Sequence, residues 1–498
     1  MTKREVLGAM TFGHRVAEYE TASLAEYFVE TDQWTRIFSG EIDIIYGSKG
    51  AGKSAIYLLL SSRATELSDR GIVLVPAENP RGALAFADVV EDPPTTEAAF
   101  RALWKLYFLA LVGDVLRNNA ITDEHAKRLY EFLAAAKLLE PNASLSRTVK
   151  AVMDYVKRYL NVQELEAGLK VDPVMGAPSV TGRITFREPS ADERKAGFVS
   201  VDELIVDANE SLKASDLEAW IILDRLDVAF AEVRELEENA LRALFRVYLD
   251  FLGLTNVRLK IFLRDDIWER ITEDKGFAEA SHITRDVTLT WEPQSLLNLV
   301  VRRLVRNDAL VKAFDVEAQS VLASMTSQRD LFYRVFSNQV NTGSKQSETF
   351  KWILSRTQDG AKLNTPRELI HLLEEARKAQ LHLIEIGEGE PAGEALISPA
   401  ALKAALPEVS RTRLEQTIFA EYPDLKKLIL ALEGGKTEQT VTTLAATWRL
   451  SGDQASAVAQ RLVDIGFFEL RGTKASPSYW VPFIYRPALE MVQGSADE

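Results

Sequence analysis

Cysteine is absent from this chain and histidine is scarce, with 5 in 498 residues. Disulfides, thiolate-held zinc or iron–sulfur centres and thiol nucleophiles are excluded by inventory. A transition-metal site built on imidazole has few ligands to draw on. A cysteine-free chain fits a reducing cytoplasm, where this one is expected to work. Long hydrophobic runs are missing too. No stretch reaches the 18 or so apolar residues of a membrane span. The longest helix-like apolar run, 103–116, carries Lys105 and Asp114 and reads as a buried helix. No membrane partner is expected. Residues 1–19 carry charges of both signs and no apolar core, so they do not read as a secretory leader. Positive charge is also short: 59 Lys and Arg stand against 73 Asp and Glu, a net charge of −14. That argues against a surface given over to nucleic acid, whose phosphates are neutralised by Lys and Arg, while leaving a local basic patch open.

The composition that is present is that of an ordinary globular protein, 46% apolar and 27% charged. The length suits about three domains. Segments 42–46, 71–76, 220–223, 258–263 and 287–291 read as strands, separated by helical segments such as 235–252. This alternation predicts an α/β fold with a parallel sheet. Ahead of it, Leu24, Phe28 and Trp34 are spaced as on a helix, giving an N-terminal helical segment over 1–39. The stretch 92–215 is too long for one crossover and largely helical (97–118, 123–138, 145–159), so it is expected to be a large helical insertion in a core spanning 40–295. Residues 296–390 are helical throughout. A Gly/Pro-bearing linker then leads to a third unit, 395–490.

Directly after the first strand comes Gly47-Ser48-Lys49-Gly50-Ala51-Gly52-Lys53-Ser54, followed by Ala55 and a helix. This fits G-x-x-x-x-G-K-[ST], the P-loop. The glycines let the backbone adopt positive φ and bring N–H groups up to phosphate oxygens. The helix N-terminus adds partial positive charge at the same anion. Lys53 is expected to neutralise the β- and γ-phosphates, and the Ser54 hydroxyl to ligate Mg²⁺. ATP and Mg²⁺ are therefore the expected ligands, at residues 47–55.

A P-loop needs a second strand ending in an acid that holds the magnesium. Trp220-Ile221-Ile222-Leu223-Asp224 supplies it. Many such ATPases follow with a second acid that polarises the attacking water, but here Arg225 occupies that place. Asp227 is a candidate for the water-activating base; a helix-start cap is the alternative. Without such a base, hydrolysis is expected to be slow, which suits a switch better than a motor.

Asp224-Arg225-Leu226-Asp227 resembles the D-x-L-D pattern of STAND and KAP-type P-loop NTPases. Ile261-Phe262-Leu263-Arg264-Asp265-Asp266-Ile267-Trp268 is similar to their next strand, and Asn364-Thr365-Pro366-Arg367-Glu368-Leu369 to the proline-arginine element of their helical lid. Residues 41–55 and Tyr485-Arg486-Pro487-Ala488-Leu489 resemble large bacterial P-loop ATPases built on this plan. The resemblance implies an ATPase with a helical lid over 296–390, ATP lying between core and lid. Arg264 would sense the γ-phosphate and Arg367 would reach nucleotide from the lid. It further implies a switch that exchanges nucleotide, forms homo-oligomers and signals to a partner, often in antiphage defence. No nuclease or protease signature is visible, so a destructive effector would be encoded separately.

In the third unit, helices over 437–448 and 453–465 and a hairpin of 467–471 with 478–482 predict a winged helix. The second helix offers Gln454, Gln460 and Arg461, and the wing Arg471 and Lys474. So thin a basic surface favours partner docking over DNA reading. The alternative is a DNA-handling ATPase, similar in layout to replication-initiator ATPases with a terminal winged helix. Arg302, Arg303 and Arg306 make a short basic cluster expected to be a solvated face or subunit contact.

Overall fold

Runs such as Ile44-Ile45-Tyr46 and Trp220-Ile221-Ile222-Leu223 lack the apolar–polar alternation of a half-exposed strand, and they form strands buried on both faces. The computed structural model describes residues 1–20, 24–79, 85–86, 96–140, 143–168, 183–226, 234–273, 277–473 and 476–496, with the side chains of 161–168 and 234 outside that set. These divide into two compact units. One comprises Asp32–Gly47 and Lys53–Thr288; the other comprises Met1–Thr31, Ser48–Gly52 and Leu289–Glu498.

The first unit holds β1 (Ile44–Tyr46), β2 (Ile72–Pro76), the short β3 (Ile184–Thr185) and β4 (Val199–Ser200), β5 (Glu218–Leu223), β6 (Val257–Leu263) and β7 (Asp286–Thr288). Five form one sheet in the order β2-β5-β6-β1-β7, every pairing parallel. The acid-bearing β5 is thus separated from the P-loop strand β1 by β6. The register sets Tyr46 beside Leu263 and Leu223 beside Ile261, which brings the C-terminal ends of these strands to one edge, where α/β sheets bind ligands.

The helical stretch after β2 joins the sheet's own core. Glu97–Asn118 is buried on nearly every side, as a helix apolar all round must be. It shares one hydrophobic cluster with Ile221, Leu223 and Leu259 of the sheet, and with Leu204 and Leu212 of the helix Val201–Ala214. Asp123 caps the helix Glu124–Ala135 by accepting from the backbone of His125 and Ala126. Trp34 lies on a helix of its own, Asp32–Phe38, apart from Leu24–Tyr27. The single helix expected there is therefore interrupted.

The second unit has two cores. Phe12, Leu304, Phe332 and Leu372 belong to one, built from helices that include Pro293–Val305, Met325–Val335, Pro366–Glu385 and Pro399–Arg413. Three of these open on proline, whose missing N–H goes unused in the first turn. Arg303 corrects the reading of a solvated basic cluster. It is 5% exposed, and its guanidinium forks onto the Glu20 carboxylate at 2.8 and 2.9 Å. Arg306 pairs with Glu26 at 2.5 Å.

The other core gathers Leu444, Leu462, Phe467 and Tyr485. Around it run β8 (Lys436–Thr440), the helices Val441–Trp448 and Gly452–Asp464, β9 (Glu469–Thr473), β10 (Ser476–Trp480) and β11 (Val492–Ser495), with sheet order β11-β8-β10-β9. The helix expected from residue 437 begins at Val441. The preceding Lys-Thr-Glu-Gln-Thr buries Thr437 and Gln439 alternately, a period of two that makes a strand, and Thr440 then caps the helix. The hairpin is tighter than expected, with Thr473 paired to Ser476. No described helix is long and apolar enough to cross a membrane.

Candidate functional site

Gly47 follows β1, and the helix Lys53–Ser62 begins at the far side of the loop. Gly50 and Gly52 take φ of +89° and +107°, the left-handed region that glycine reaches without a Cβ penalty. Lys53 folds its Nζ back to donate to the Gly47 carbonyl at 2.6 Å, so the ammonium stands over the loop. Ser54 and Ala55 lie half-buried in the first helical turn.

The loop's tip, Ser48–Gly52, packs with the helical unit. Lys49 Nζ meets the Glu421 carboxylate at 2.5 Å and the Gln416 carbonyl at 3.1 Å. Trp291 Nε1 donates to Ala51 O at 2.7 Å. A Cβ on Gly50 would stand 2.9 Å from Cβ of Arg367 and 3.1 Å from Oγ1 of Thr365. Arg367 is thereby brought against the tip. Its Nε is buried with no hydrogen-bond acceptor among the described residues, a donor suited to an anion in the loop.

At the sheet edge, Asp224 follows β5 and is 7% exposed. The Tyr57 phenol, one helical turn beyond Ser54, is pushed up by burial and next by the Asp224 carboxylate. Ser54 and Tyr57 are three residues apart on one helix, which places them on one face. A hydroxyl and a carboxylate are oxygen donors of the kind Mg²⁺ takes, and Ser54 and Asp224 could supply them. Among the described residues, no cluster of three or more acids and histidines could hold a metal alone. Arg264, after β6, binds Asp266 through Nε at 2.9 Å and Nη2 at 2.7 Å. Asp227 and Lys474 lie outside the described residues.

Two acids that motif reading passed over stand at this edge. Asp265 is raised by burial and then by Asp266, while Lys53 pulls it down. Glu78, two residues beyond β2, is 1% exposed. Its carboxyl is raised by burial against the pull of backbone N–H groups and Arg225. The signal for Asp265 was in its place after a strand beside β1. The signal for Glu78 lay only in the pairing of β2 with β5, which no local spacing encodes.

The parallel sheet, with the loop between β1 and the helix that follows it, defines an α/β fold of P-loop type. No family model matches the chain, and no curated protein does. Among solved structures it is similar to the Aeropyrum pernix ORC2 protein in ADPNP–ADP complexes, at 14% identity and a TM-score of 0.30, over 95% of this chain and 94% of that one.

Proposed function

We propose that the chain is a cytoplasmic ATP-driven molecular switch that binds Mg-ATP at residues 47–55 and hydrolyses it slowly. One observation carries the reading: the loop's tip combines the positive-φ Gly50 and Gly52 with a buried Arg367 Nε that has no acceptor among the described residues. Ser54 and Asp224 would hold the magnesium. Arg264 would sense the γ-phosphate after leaving Asp266. Nucleotide state would then govern homo-oligomerisation or signalling to a separately encoded partner. The finer placement among STAND and KAP-type switches of antiphage defence rests on the order of motifs from Asp224 to Arg367.

Binding supplies enough energy for such a switch. At 100 times the dissociation constant, ATP biases the competent state by about 2.7 kcal/mol if the other state binds none. The C-terminal helix pair suits partner docking better than DNA: Arg461 is paired with Asp424 and Arg471 with Glu469. Titration calorimetry tests the reading. Mg-ATP should give heat with the wild type and none with folded Lys53→Ala, and phosphate release should follow the same pattern. A folded wild type giving no heat with Mg-ATP or Mg-GTP would sink it.

A further inference from the structure

We propose that Glu78 is the base that takes the proton from the water attacking the γ-phosphate, and that Arg225 positions it; this rests on the ATP reading above. β2 and β5 run parallel with Pro76 beside Ile222, and Ala77 N donates to Ile222 O at 3.0 Å. Carried two residues beyond the Pro76–Ile222 pair, this register sets Glu78 level with Asp224. Tyr57, on the helix that starts at Lys53, donates its hydroxyl to the Glu78 carbonyl at 3.3 Å and feels both carboxylates. One phenol ring thus marks where the P-loop helix, the magnesium acid and Glu78 converge.

The Glu78 carboxylate is held and half-satisfied. Oε1 accepts from the backbone N–H of Asn79 at 2.6 Å and of Ala85 at 2.7 Å. Oε2 is buried with no hydrogen-bond partner among the described residues. An unmet buried acceptor is costly, and it is what a base needs: a fixed oxygen, oriented by its twin, with its hydrogen-bonding capacity unspent. Arg225 adopts φ +61° and donates to the Asn79 carbonyl at 3.0 Å. The position after Asp224, where many ATPases carry their second acid, therefore holds a clasp on the segment bearing Glu78. Asp265 is the competitor, but it accepts from Asp266 N at 3.0 Å and its charge is already countered by Lys53.

In the step, the water oxygen bonds to the γ-phosphorus while Glu78 Oε2 takes its proton. The bond from phosphorus to the β–γ bridging oxygen breaks, its electron pair leaving with ADP. The proton passes from Glu78 to the released phosphate, so ATP and water give ADP and inorganic phosphate.

The test compares wild type, Glu78→Gln, Glu78→Asp, Arg225→Ala and Asp265→Asn by Mg-ATP calorimetry, phosphate release and identification of the nucleotide retained after rapid desalting. Glu78→Gln should bind Mg-ATP within about threefold of wild type, turn over at least about 100-fold more slowly and retain ATP rather than ADP. The acidic limb of the wild-type kcat profile should vanish with it. Glu78→Asp should keep the limb at reduced kcat, and Arg225→Ala should lower kcat with affinity unchanged. Wild-type turnover in Glu78→Gln overturns the proposal. So does loss of turnover in Asp265→Asn alone, or a wild type that binds Mg-ATP without releasing phosphate. If Glu78→Gln does not fold, unchanged kcat in Glu78→Asp decides against it. A wild type giving no binding heat sinks instead the ATP reading on which it stands.

Discussion

At Gly50 a single added methyl group would meet Arg367 and Thr365 at 2.9 and 3.1 Å, on a backbone at φ +89°. Both neighbours are anchored in a helix start, so the loop would have to give. Gly50→Ala is expected to weaken Mg-ATP binding at least about tenfold and to destabilise its unit by about 1–3 kcal/mol, read by calorimetry and urea unfolding. A second residue-scale expectation concerns His371. Burial first, then the Arg15 guanidinium, hold its imidazole down to about 4 from an ordinary 6.5. Between those values the unfolded chain binds the extra proton. Stability from this group is therefore complete above about pH 6.5 and lost as pH falls toward 4. His371→Gln should flatten the acid limb of stability against pH, by about 1–2 kcal/mol near pH 4.5 after solvent screening. A limb unchanged in the variant would assign it elsewhere. The places of residues in a contiguous motif, such as Lys53 and Ser54 at the start of the helix after β1, were legible in the amino-acid order itself. Arg303 and Glu78 were not, because their roles come from partners 283 residues away and from a neighbouring strand.

At the scale of elements, the strands were legible to within about two residues at most of their ends, because buried parallel strands are written as apolar runs. The ambiguous cases were short and polar: β8 was hidden by Lys436, Glu438 and Gln439, which helices also accept. The joint between Pro366–Glu385 and Pro399–Arg413 was equally hidden. There Arg413 Nη1 donates to Glu368 at 2.8 Å and Nη2 lies 3.7 Å from Asp359. Asp359 accepts from the backbone of Ala361 and Leu363, and Gly360 N donates to Gly466 O at 2.7 Å. This buried charge cluster ties the lid helix carrying Arg367 to the turn that precedes β9. Removing one partner leaves the other charged and dry. Arg413→Ala should therefore cost about 3–5 kcal/mol, while Arg413→Met with Glu368→Met should cost much less. A double-mutant cycle on the urea midpoint checks this; additive losses would show that the pair is not coupled.

At the scale of the whole molecule, the order of segments along the chain was legible, but the segments that share a core were not. Nothing in residues 48–52 announces that the tip of the loop packs with residues some 370 positions later. The link is chemical as well as steric. Gln416 lies in a π-helical turn, Leu414–Ile418, where the widened ring leaves carbonyls free, and Lys49 takes one of them together with the Glu421 carboxylate. A triphosphate bound in the loop would compete with Glu421 for that ammonium group. Freed by Glu421→Gln, Lys49 should add its charge to the phosphate field and tighten Mg-ATP about threefold to tenfold, roughly 0.7–1.4 kcal/mol. Coupling of this kind is reciprocal. Mg-ATP should therefore loosen the Lys49–Glu421 contact in the wild type and speed amide exchange across 414–421. In Glu421→Gln the contact is already broken, so nucleotide should leave that segment's exchange unchanged. Equal affinity in the two proteins, with nucleotide-independent exchange in both, would show that the C-terminal unit does not respond to the loop.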